Sequence, residues 1–312
     1  MHAAVVRSFD RPPTFGDWPE PSASGDDEVV LDVLASGLHP RVRSQADGSH
    51  YTSTEQLPLV PGIDGVGRAP DGTLRYFVLP DARLGAMADR TVVDLRRSVA
   101  LPTGTDPVHI AAGMNPAMSS WIALRRRISF EPGQSVLVLG ATGSAGRLAV
   151  QVAKRFGAAR VIGAGRDPAR LAELAALGAD VTVSLDGDEL GRAAADVDVV
   201  IDYVWGSATA AAMTAVVTGR ADRGRPLSWI EIGSVGGPTA SIPSAALRAA
   251  RLQIVGSGQG SVSTRDIVAE LPELAAAIGA GAFRLDTRVV PLSGVEAAWP
   301  EPVGADRVVL VP

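Results

Sequence analysis

One stretch of the sequence, Ser135 to Gly157, strongly restricts the folds that this chain can adopt. It reads SVLVLGATGSAGRLAVQVAKRFG and begins with a short, β-branched apolar run, which is typical of a strand covered on both faces in a parallel sheet. Glycines follow at positions 140, 143 and 146, and Leu148, Val152 and Phe156 then recur at helical spacing. The stretch therefore predicts a buried strand, a tight glycine turn and a helix.

The glycine turn has nearly the spacing of a dinucleotide-binding motif. Gly140 allows a sharp exit from the strand, Gly143 lets the backbone approach a pyrophosphate, and Gly146 lets the helix pack closely on the sheet. Ala141 stands at the first glycine of the usual G-x-G-x-x-G, so the motif is an A-x-G-x-x-G variant. The helix would direct its unpaired N-terminal amides at the phosphates. The predicted cofactor-binding residues of the turn are Gly140, Ala141, Thr142, Gly143, Ser144, Ala145 and Gly146.

The residue after the next strand distinguishes the two nicotinamide cofactors. That strand is predicted at 160–165, and an enzyme that binds NAD has an acid about 20 residues beyond the motif, on the ribose 2′-hydroxyl. Here Arg166 and Asp167 follow the strand, and Asp167 with Pro168 is the pattern of a helix N-cap and first helical residue. Arg166 is left facing the ribose, where its guanidinium suits a 2′-phosphate. We predict NADPH as the cofactor; the alternative is that Arg166 is a solvated surface charge.

The composition excludes several classes of protein. The chain has 312 residues, is 46% hydrophobic and carries a net charge of -5, so it can form two domains and gives no reason to expect nucleic acid. It has no cysteine and only four histidines, so no disulfide and no zinc or iron centre is expected. No apolar run is long enough for a membrane span, and residues 1–10 lack the apolar centre of a signal peptide. We therefore expect a cytoplasmic protein.

The remaining sequence separates into two kinds of region. The first part is predicted to be mostly β, with strands at 3–7, 28–35, 74–79 and 86–94 and a helix at 107–127. Strands at 135–140, 160–165, 181–185, 197–204, 227–233 and 252–256 then alternate with helices at 144–156, 168–177, 207–218, 244–251 and 264–278. Such alternation predicts an α/β, doubly wound parallel sheet. Strands predicted at 287–292 and 307–311 return to β character, so both chain ends are expected to form one domain.

This organisation resembles the medium-chain dehydrogenase/reductase superfamily over essentially the whole chain, and most of all its zinc-free quinone oxidoreductase branch. The residues that carry the resemblance are Gly140 to Gly146 (GATGSAG), Pro58 to Gly67 (PLVPGIDGVG), Asn115 to Leu124 (NPAMSSWIAL) and Glu231 to Gly237 (EIGSVGG). It implies a Rossmann dinucleotide-binding domain at 113–280 and a mostly β, GroES-like domain at 1–112 and 281–312. It also implies a homodimer that pairs through the last strand of the parallel sheet.

The resemblance also bears on metal binding. Zinc alcohol dehydrogenases of the superfamily carry Gly-His-Glu where this chain has Gly62, Ile63 and Asp64. The chain lacks that histidine and every cysteine ligand, so we predict no metal. Asp64 lies between two glycines, which favours a structural role in a turn.

By resemblance, the segment Gly37 to Tyr51 (GLHPRVRSQADGSHY) lines the active cleft. Relatives commonly have Asn-Pro-x-Asp followed by Gly-x-Tyr, whereas this chain has His39 and Val42 in place of the Asn and Asp, and one extra residue before Tyr51. The matching tyrosine of enoyl-thioester reductases is implicated in proton supply. Tyr51 is therefore a predicted catalytic acid or substrate anchor, with a loop tyrosine that packs across the cleft mouth as the alternative. His39 is the second catalytic candidate, or else a polar residue satisfied by the backbone.

Three more residues are expected near the nicotinamide. Ser119 is placed there by the resemblance, and Gly256 and Gly258 close the last strand at the carboxyl edge, where such sheets bind ligands. The expected function is an NADPH-dependent, zinc-independent reductase that passes hydride to a small-molecule quinone or to the β-carbon of an α,β-unsaturated carbonyl. One alternative is an enoyl-thioester reductase, in which Arg41 and Arg43 bind the carrier phosphates. Another is a non-catalytic NADPH-binding protein that has lost its active site.

Overall fold

The computed structural model describes residues 1–302 and 306–312. The chain forms two compact units, which we call the terminal unit (Met1–Asn115 with Val268–Pro312) and the central unit (Pro116–Ile267). The first boundary lies close to the one predicted between residues 112 and 113. The second lies inside a helix, Thr264–Gly279, that the prediction assigned wholly to the nucleotide domain.

The strands, in chain order, are β1 (His2–Val5), β2 (Thr14–Asp17), β3 (Glu28–Leu38), β4 (Asp64–Arg68), β5 (Leu74–Val78), β6 (Arg90–Asp94), β7 (Ser98–Ala100), β8 (Ser135–Leu139), β9 (Arg160–Gly165), β10 (Val181–Ser184), β11 (Val199–Asp202), β12 (Leu227–Glu231), β13 (Leu252–Gly256), β14 (Thr287–Pro291) and β15 (Arg307–Val311). The α-helices are α1 (Pro40–Ala46), α2 (Pro107–Ile122), α3 (Ser144–Arg155), α4 (Pro168–Glu173), α5 (Glu189–Ala193), α6 (Gly206–Gly219), α7 (Ser244–Ala249), α8 (Thr264–Gly279) and α9 (Val295–Ala298).

The terminal unit is built around the long strand β3. A seven-stranded sheet runs in the order β14-β15-β3-β4-β5-β7, with β6 also paired to β3, while β1 and β2 form a separate pair. Because β14 and β15 pair beside β3, both chain ends share one sheet, as the sequence predicts. The end of β3 leads directly into His39 and α1, so the sheet fixes where the predicted active-site segment starts.

Strand β4 was missed in the sequence, and the expected turn role of Asp64 is wrong. Asp64 begins β4, which pairs with β3 and β5. The neighbouring glycines serve close strand packing, because a Cβ at Gly65 would lie 2.8 Å from the Ala35 carbonyl oxygen and one at Gly67 would lie 3.0 Å from that of Asp32.

The central unit contains the predicted doubly wound sheet. Its six strands are all parallel and run in the order β10-β9-β8-β11-β12-β13. Counted from β8, this is the order 3-2-1-4-5-6 of a Rossmann fold, with the chain reversing direction across the sheet between β8 and β11. Ligands bind such sheets at this point, beyond the carboxyl ends of the strands.

One helix differs in detail from the prediction. The helix predicted at 107–127 is α-helical to Ile122 and continues as a π-helical turn, Ala123–Arg127. Among the described residues, none of the helices is long and apolar enough to cross a membrane.

Candidate active site

The glycine turn between β8 and α3 leaves open backbone where a pyrophosphate would bind. Gly140 has φ 80°, and its N–H donates to the Ala164 carbonyl at 3.0 Å. A Cβ at Gly146 would lie 2.2 Å from the Gly140 carbonyl oxygen, so only glycine fits there. At Gly143 a Cβ would meet only that same oxygen, at 3.5 Å, and no side chain caps the start of α3. The first amides of α3 are therefore available to a phosphate, and the cradle fits a dinucleotide.

The other predicted residues of the turn support its shape. Ala141 and Ser144 are buried, and Ala145 lies half-buried in the first turn of α3. Thr142 packs on the end of β9, because a Cβ at Gly165 would lie 2.5 Å from its Cγ2. The turn is thus held between β8, α3 and β9.

Arg166 follows β9 and pairs with a carboxylate that the sequence did not single out. Its side chain is 60% exposed, and its Nε and Nη2 donate to the two carboxylate oxygens of Asp186 at 2.9 and 3.4 Å. Asp186 follows β10, the next strand in the sheet. The predicted N-cap role of Asp167 is confirmed, since its carboxylate accepts the N–H groups of Ala169 and Arg170 at 3.0 and 3.3 Å. A 2′-phosphate at Arg166 would therefore share this guanidinium with Asp186.

Ser119 is joined to a tyrosine that sequence reasoning missed. Its Oγ donates to the Pro116 carbonyl at 2.8 Å and therefore accepts from the phenol of Tyr203, also at 2.8 Å. Burial raises the pKa of Tyr203 to about 12, so the phenol stays protonated. Tyr203 follows directly on β11, and its place at the carboxyl end of a predicted parallel strand was the available signal.

The backbone near Gly256 and Gly258 is largely occupied within the central unit. The Gly256 carbonyl accepts from Arg127 Nε at 2.7 Å, and the Gly258 N–H donates to Ser261 Oγ at 2.8 Å. The N–H of Ser257 donates to the Glu231 carbonyl, again at 2.8 Å. A Cβ at Gly256 would meet nothing within 4 Å, so this position has open space beside it.

The turn after β11 has an unusual backbone. Within residues 1–302 and 306–312, Trp205 is the one residue other than glycine with a positive φ, at φ 53° and ψ −162°. Residues other than glycine in this region of conformational space cost about 1–3 kcal/mol, and such residues cluster at functional sites. Asp202, which is fully buried, holds the turn by accepting the N–H groups of Val204 and Trp205 at 2.8 and 3.1 Å.

His39, the second predicted catalytic residue, belongs to a buried polar cluster in the terminal unit. Asp64 accepts from His39 Nε2 at 3.1 Å and from the Tyr76 phenol at 2.9 Å, and all three side chains are buried. Burial lowers the pKa of His39 and raises the pKa of Tyr76, so both stay neutral. Buried Arg307 also belongs to this electrostatic environment, and burial lowers its pKa to about 10. At the centre of the cluster, two neutral donors, His39 and Tyr76, therefore hydrogen-bond the side chain of Asp64.

Tyr51 lies in the loop after α1, and the residue is 72% exposed. Its ring stacks on His50 with centroids 4.2 Å apart. His50 Nδ1 lies 2.8 Å from Thr52 Oγ1, which also bonds Asp81, and Asp81 forms an ion pair with Arg41. Burial, and then the charge of Arg41, lowers the pKa of His50 to about 4. Tyr51 thus presents its phenol from a loop anchored by a charged network.

The comparisons with known proteins agree with this architecture. Residues 145–277 match the family described as Zinc-binding dehydrogenase. Over the full length of both chains, the protein is 32% identical to a probable NADPH-dependent quinone reductase of Emericella nidulans. The quinone oxidoreductase of Thermus thermophilus, which has also been solved with NADPH, is 28% identical, covers all of both chains and gives a TM-score of 0.83. An NADPH-dependent alkenal/one oxidoreductase of Arabidopsis thaliana is 27% identical over 57% of this chain and 50% of its own length.

The chain belongs to the medium-chain dehydrogenase/reductase superfamily, in its zinc-free quinone oxidoreductase branch. The matched family description does not imply a metal here, because the matched range contains no cysteine and none of the four histidines. Among the described residues, no three side chains of His, Asp or Glu come together as a metal site.

Proposed function

We propose that this protein is an NADPH-dependent, zinc-independent oxidoreductase that reduces quinones or α,β-unsaturated carbonyls. The observation that carries the proposal is the open glycine cradle at the carboxyl edge of a Rossmann sheet, with a guanidinium after the next strand where NAD enzymes place an acid. The relatives named for NADPH-dependent quinone and alkenal/one reduction support the same chemistry.

The protein's own part in the reaction is to bind and orient. When bound, NADPH supplies a hydride from its nicotinamide C4. The amides at the start of α3 hold the pyrophosphate, and Arg166 holds the 2′-phosphate. On the β11 side of the glycine turn, Ser119 and Tyr203 form a neutral hydroxyl pair. Such a pair fits an uncharged nicotinamide ring better than an ionised pair would.

Tyr51 is the proton donor in this proposal. Hydride addition to an enone pushes charge onto the carbonyl oxygen, and a phenol that hydrogen-bonds this oxygen stabilises the transition state more than the ground state. Tyr51 is a largely exposed residue that a substrate can reach, and the stacking of its ring on His50 limits the positions of the ring. His39, whose Nε2 already bonds Asp64, acts in a supporting role by fixing the start of α1.

The geometry gives less support to an enoyl-thioester reductase. That alternative needs cations at the entrance for the carrier phosphates, and Arg41 and Arg43 were the candidates. Arg41 is mostly buried and paired with Asp81, and burial lowers the pKa of Arg43, whose Nε is buried. Arg41 is therefore not a solvated charge ready for a diphosphate, and Arg43 is only partly exposed.

We also propose a homodimer that pairs through β13, because β13 is an edge strand of the six-stranded sheet. Light scattering on the purified protein tests this: a dimer is expected, and a monomer at micromolar concentration would contradict it. The cytoplasmic location expected from the sequence stays a prediction.

The enzyme assay follows the loss of reduced-nicotinamide absorbance with a panel of quinones, enones and enoyl thioesters. We expect NADPH consumption with the quinones and simple enones, slower consumption with NADH, and no preference for the thioester over its free enone analogue. NADPH binding without turnover of any acceptor would instead favour the non-catalytic NADPH-binding protein.

A further inference from the structure

The strained residue Trp205 has a backbone conformation that glycine adopts without penalty. The chain does use glycine at the next position, Gly206, where a Cβ would lie 2.4 Å from the Gly236 carbonyl oxygen. The local backbone therefore favours glycine at position 205 over any residue with a side chain. The presence of a tryptophan there indicates a role for its side chain.

The turn has little freedom to relax. The carboxylate of Asp202 accepts four hydrogen bonds: two from the backbone N–H groups of the turn, one from Thr209 Oγ1 at 2.7 Å and one from Trp229 Nε1 at 2.9 Å. From the other side, the N–H of Gly236 donates to the Val204 carbonyl at 2.6 Å. Contacts on both sides thus hold the conformation of Trp205.

The turn also lies directly beside the dinucleotide cradle. Strand β11 neighbours β8, and a Cβ at Gly140 would lie 3.2 Å from Val204 Cγ2 and 3.4 Å from Tyr203 Cβ. Arg166 lies on the opposite side of β8, at the end of β9. In this fold the pyrophosphate lies at the β8 turn, so a dinucleotide with its adenosine ribose at β9 extends its other half past β11.

We propose that the indole of Trp205 binds the nicotinamide riboside half of NADPH. The inference rests on the proposed NADPH-dependent function. The indole is half-buried, and within the described residues its Nε1 donates to no protein acceptor. Its flat face suits the pyridine and ribose rings, and its N–H suits a ribose or phosphate oxygen. The hydrogen bonds around the turn fix the backbone of Trp205, and so the point from which the ring extends, before the cofactor arrives.

The test measures two dissociation constants in the same variants. The first probe is NADPH, and the second is adenosine 2′,5′-bisphosphate, which keeps the adenosine and 2′-phosphate but lacks the nicotinamide half. Trp205→Gly should weaken NADPH binding about tenfold, because it removes an aromatic contact. It should leave binding of the bisphosphate unchanged, and the variant without ligand should melt no lower than the wild type, because the backbone strain is relieved.

Two control variants distinguish the loss of the indole ring from a general disturbance of the fold. Trp205→Phe keeps an aromatic ring on the same backbone and should keep most of the NADPH affinity. Val235→Gly changes a residue that is 81% exposed on the neighbouring loop, and it should alter neither dissociation constant. Wild-type NADPH affinity in Trp205→Gly overturns the inference, as does equal weakening of both ligands together with a lower melting temperature. A wild-type protein that binds the bisphosphate but not NADPH refutes the proposed function itself.

Discussion

The pair formed by Arg166 and Asp186 makes cofactor selectivity testable in both directions. Arg166→Ala removes the guanidinium that we propose binds the 2′-phosphate, whereas Asp186→Asn leaves the guanidinium and removes the carboxylate that pairs with it. NADH is the matched control ligand, because it differs from NADPH only by lacking the 2′-phosphate. We expect the two substitutions to shift NADPH affinity in opposite directions and to leave NADH affinity nearly constant.

The magnitudes follow from the exposure of the pair. A hydrogen bond to a charged group contributes about 1.5–3 kcal/mol. The Arg166 side chain is 60% exposed, so solvent screening reduces this to about 1–2 kcal/mol, or about fivefold to thirtyfold in the NADPH dissociation constant. Two negative charges that share one guanidinium repel by about 1 kcal/mol in water, and salt screens about half of this. Asp186→Asn should therefore tighten NADPH binding about twofold to threefold.

Isothermal titration of both cofactors into the wild type, the two single variants and the double variant provides the measurement. The benefit of Asp186→Asn requires Arg166, so it should shrink in the Arg166→Ala background. Raising the salt concentration should narrow the gap between NADPH and NADH in the wild type and leave it nearly flat in Arg166→Ala. Equal affinity of the wild type for both cofactors, or an Arg166→Ala variant with unchanged NADPH affinity, would refute the argument.

Three further predictions concern metal, proton supply and acid stability. Elemental analysis should find no stoichiometric zinc and chelators should leave turnover intact; one zinc per chain, lost together with activity, would contradict this. Tyr51→Phe should lower kcat for enones about tenfold or more, with NADPH affinity retained. If deuterated NADPH shows that hydride transfer is rate-limiting and kcat is still unaltered, water is the proton source. The pKa values of His39 and His50 lie below the usual 6.5, that of His50 at about 4. Below pH 6.5 the unfolded chain therefore binds more protons at these histidines than the folded chain does. The unfolding midpoint should fall as the pH drops below about 6.5, and less steeply in His50→Gln; equal slopes would refute the assignment.

The central unit was predictable because its signals are local. Each strand of a parallel sheet covered on both faces reads as a continuous apolar run, and each crossover adds a helix with its own periodicity. Strands β9 and β13 match their predicted bounds, and the others start or end within a few residues of them. The glycine motif lies at the end of β8, one of the two middle strands of the sheet.

The terminal unit was harder because its strands depend on partners distant in the chain. Glycines at 62 and 65 indicated a turn at Asp64, yet Gly65 and Gly67 allow β4 to approach β3 closely. Helix α1 was missed because it has only seven residues, and Val42 and Ala46 alone are too few to mark a helical repeat. Sequence patterns record neither so short a helix nor the pairing of distant strands.

The candidate site also has a predictable and an unpredictable part. A sequence motif identifies some positions, whereas their hydrogen-bond partners come together only in the folded chain. Sequence reasoning sought a strand-end acid on the adenosine side and found Arg166; the structure has such an acid on the other side, at Asp202. All of the hydrogen bonds shown for Asp202 come from its own unit, so it does not compete for a ribose hydroxyl but shapes the turn that carries Trp205. In the proposed function, cofactor choice therefore depends on an exposed, salt-sensitive charge pair. The shape of the proposed nicotinamide side depends instead on the buried carboxylate of Asp202, whose loss would leave four donors unsatisfied and reduce stability before selectivity.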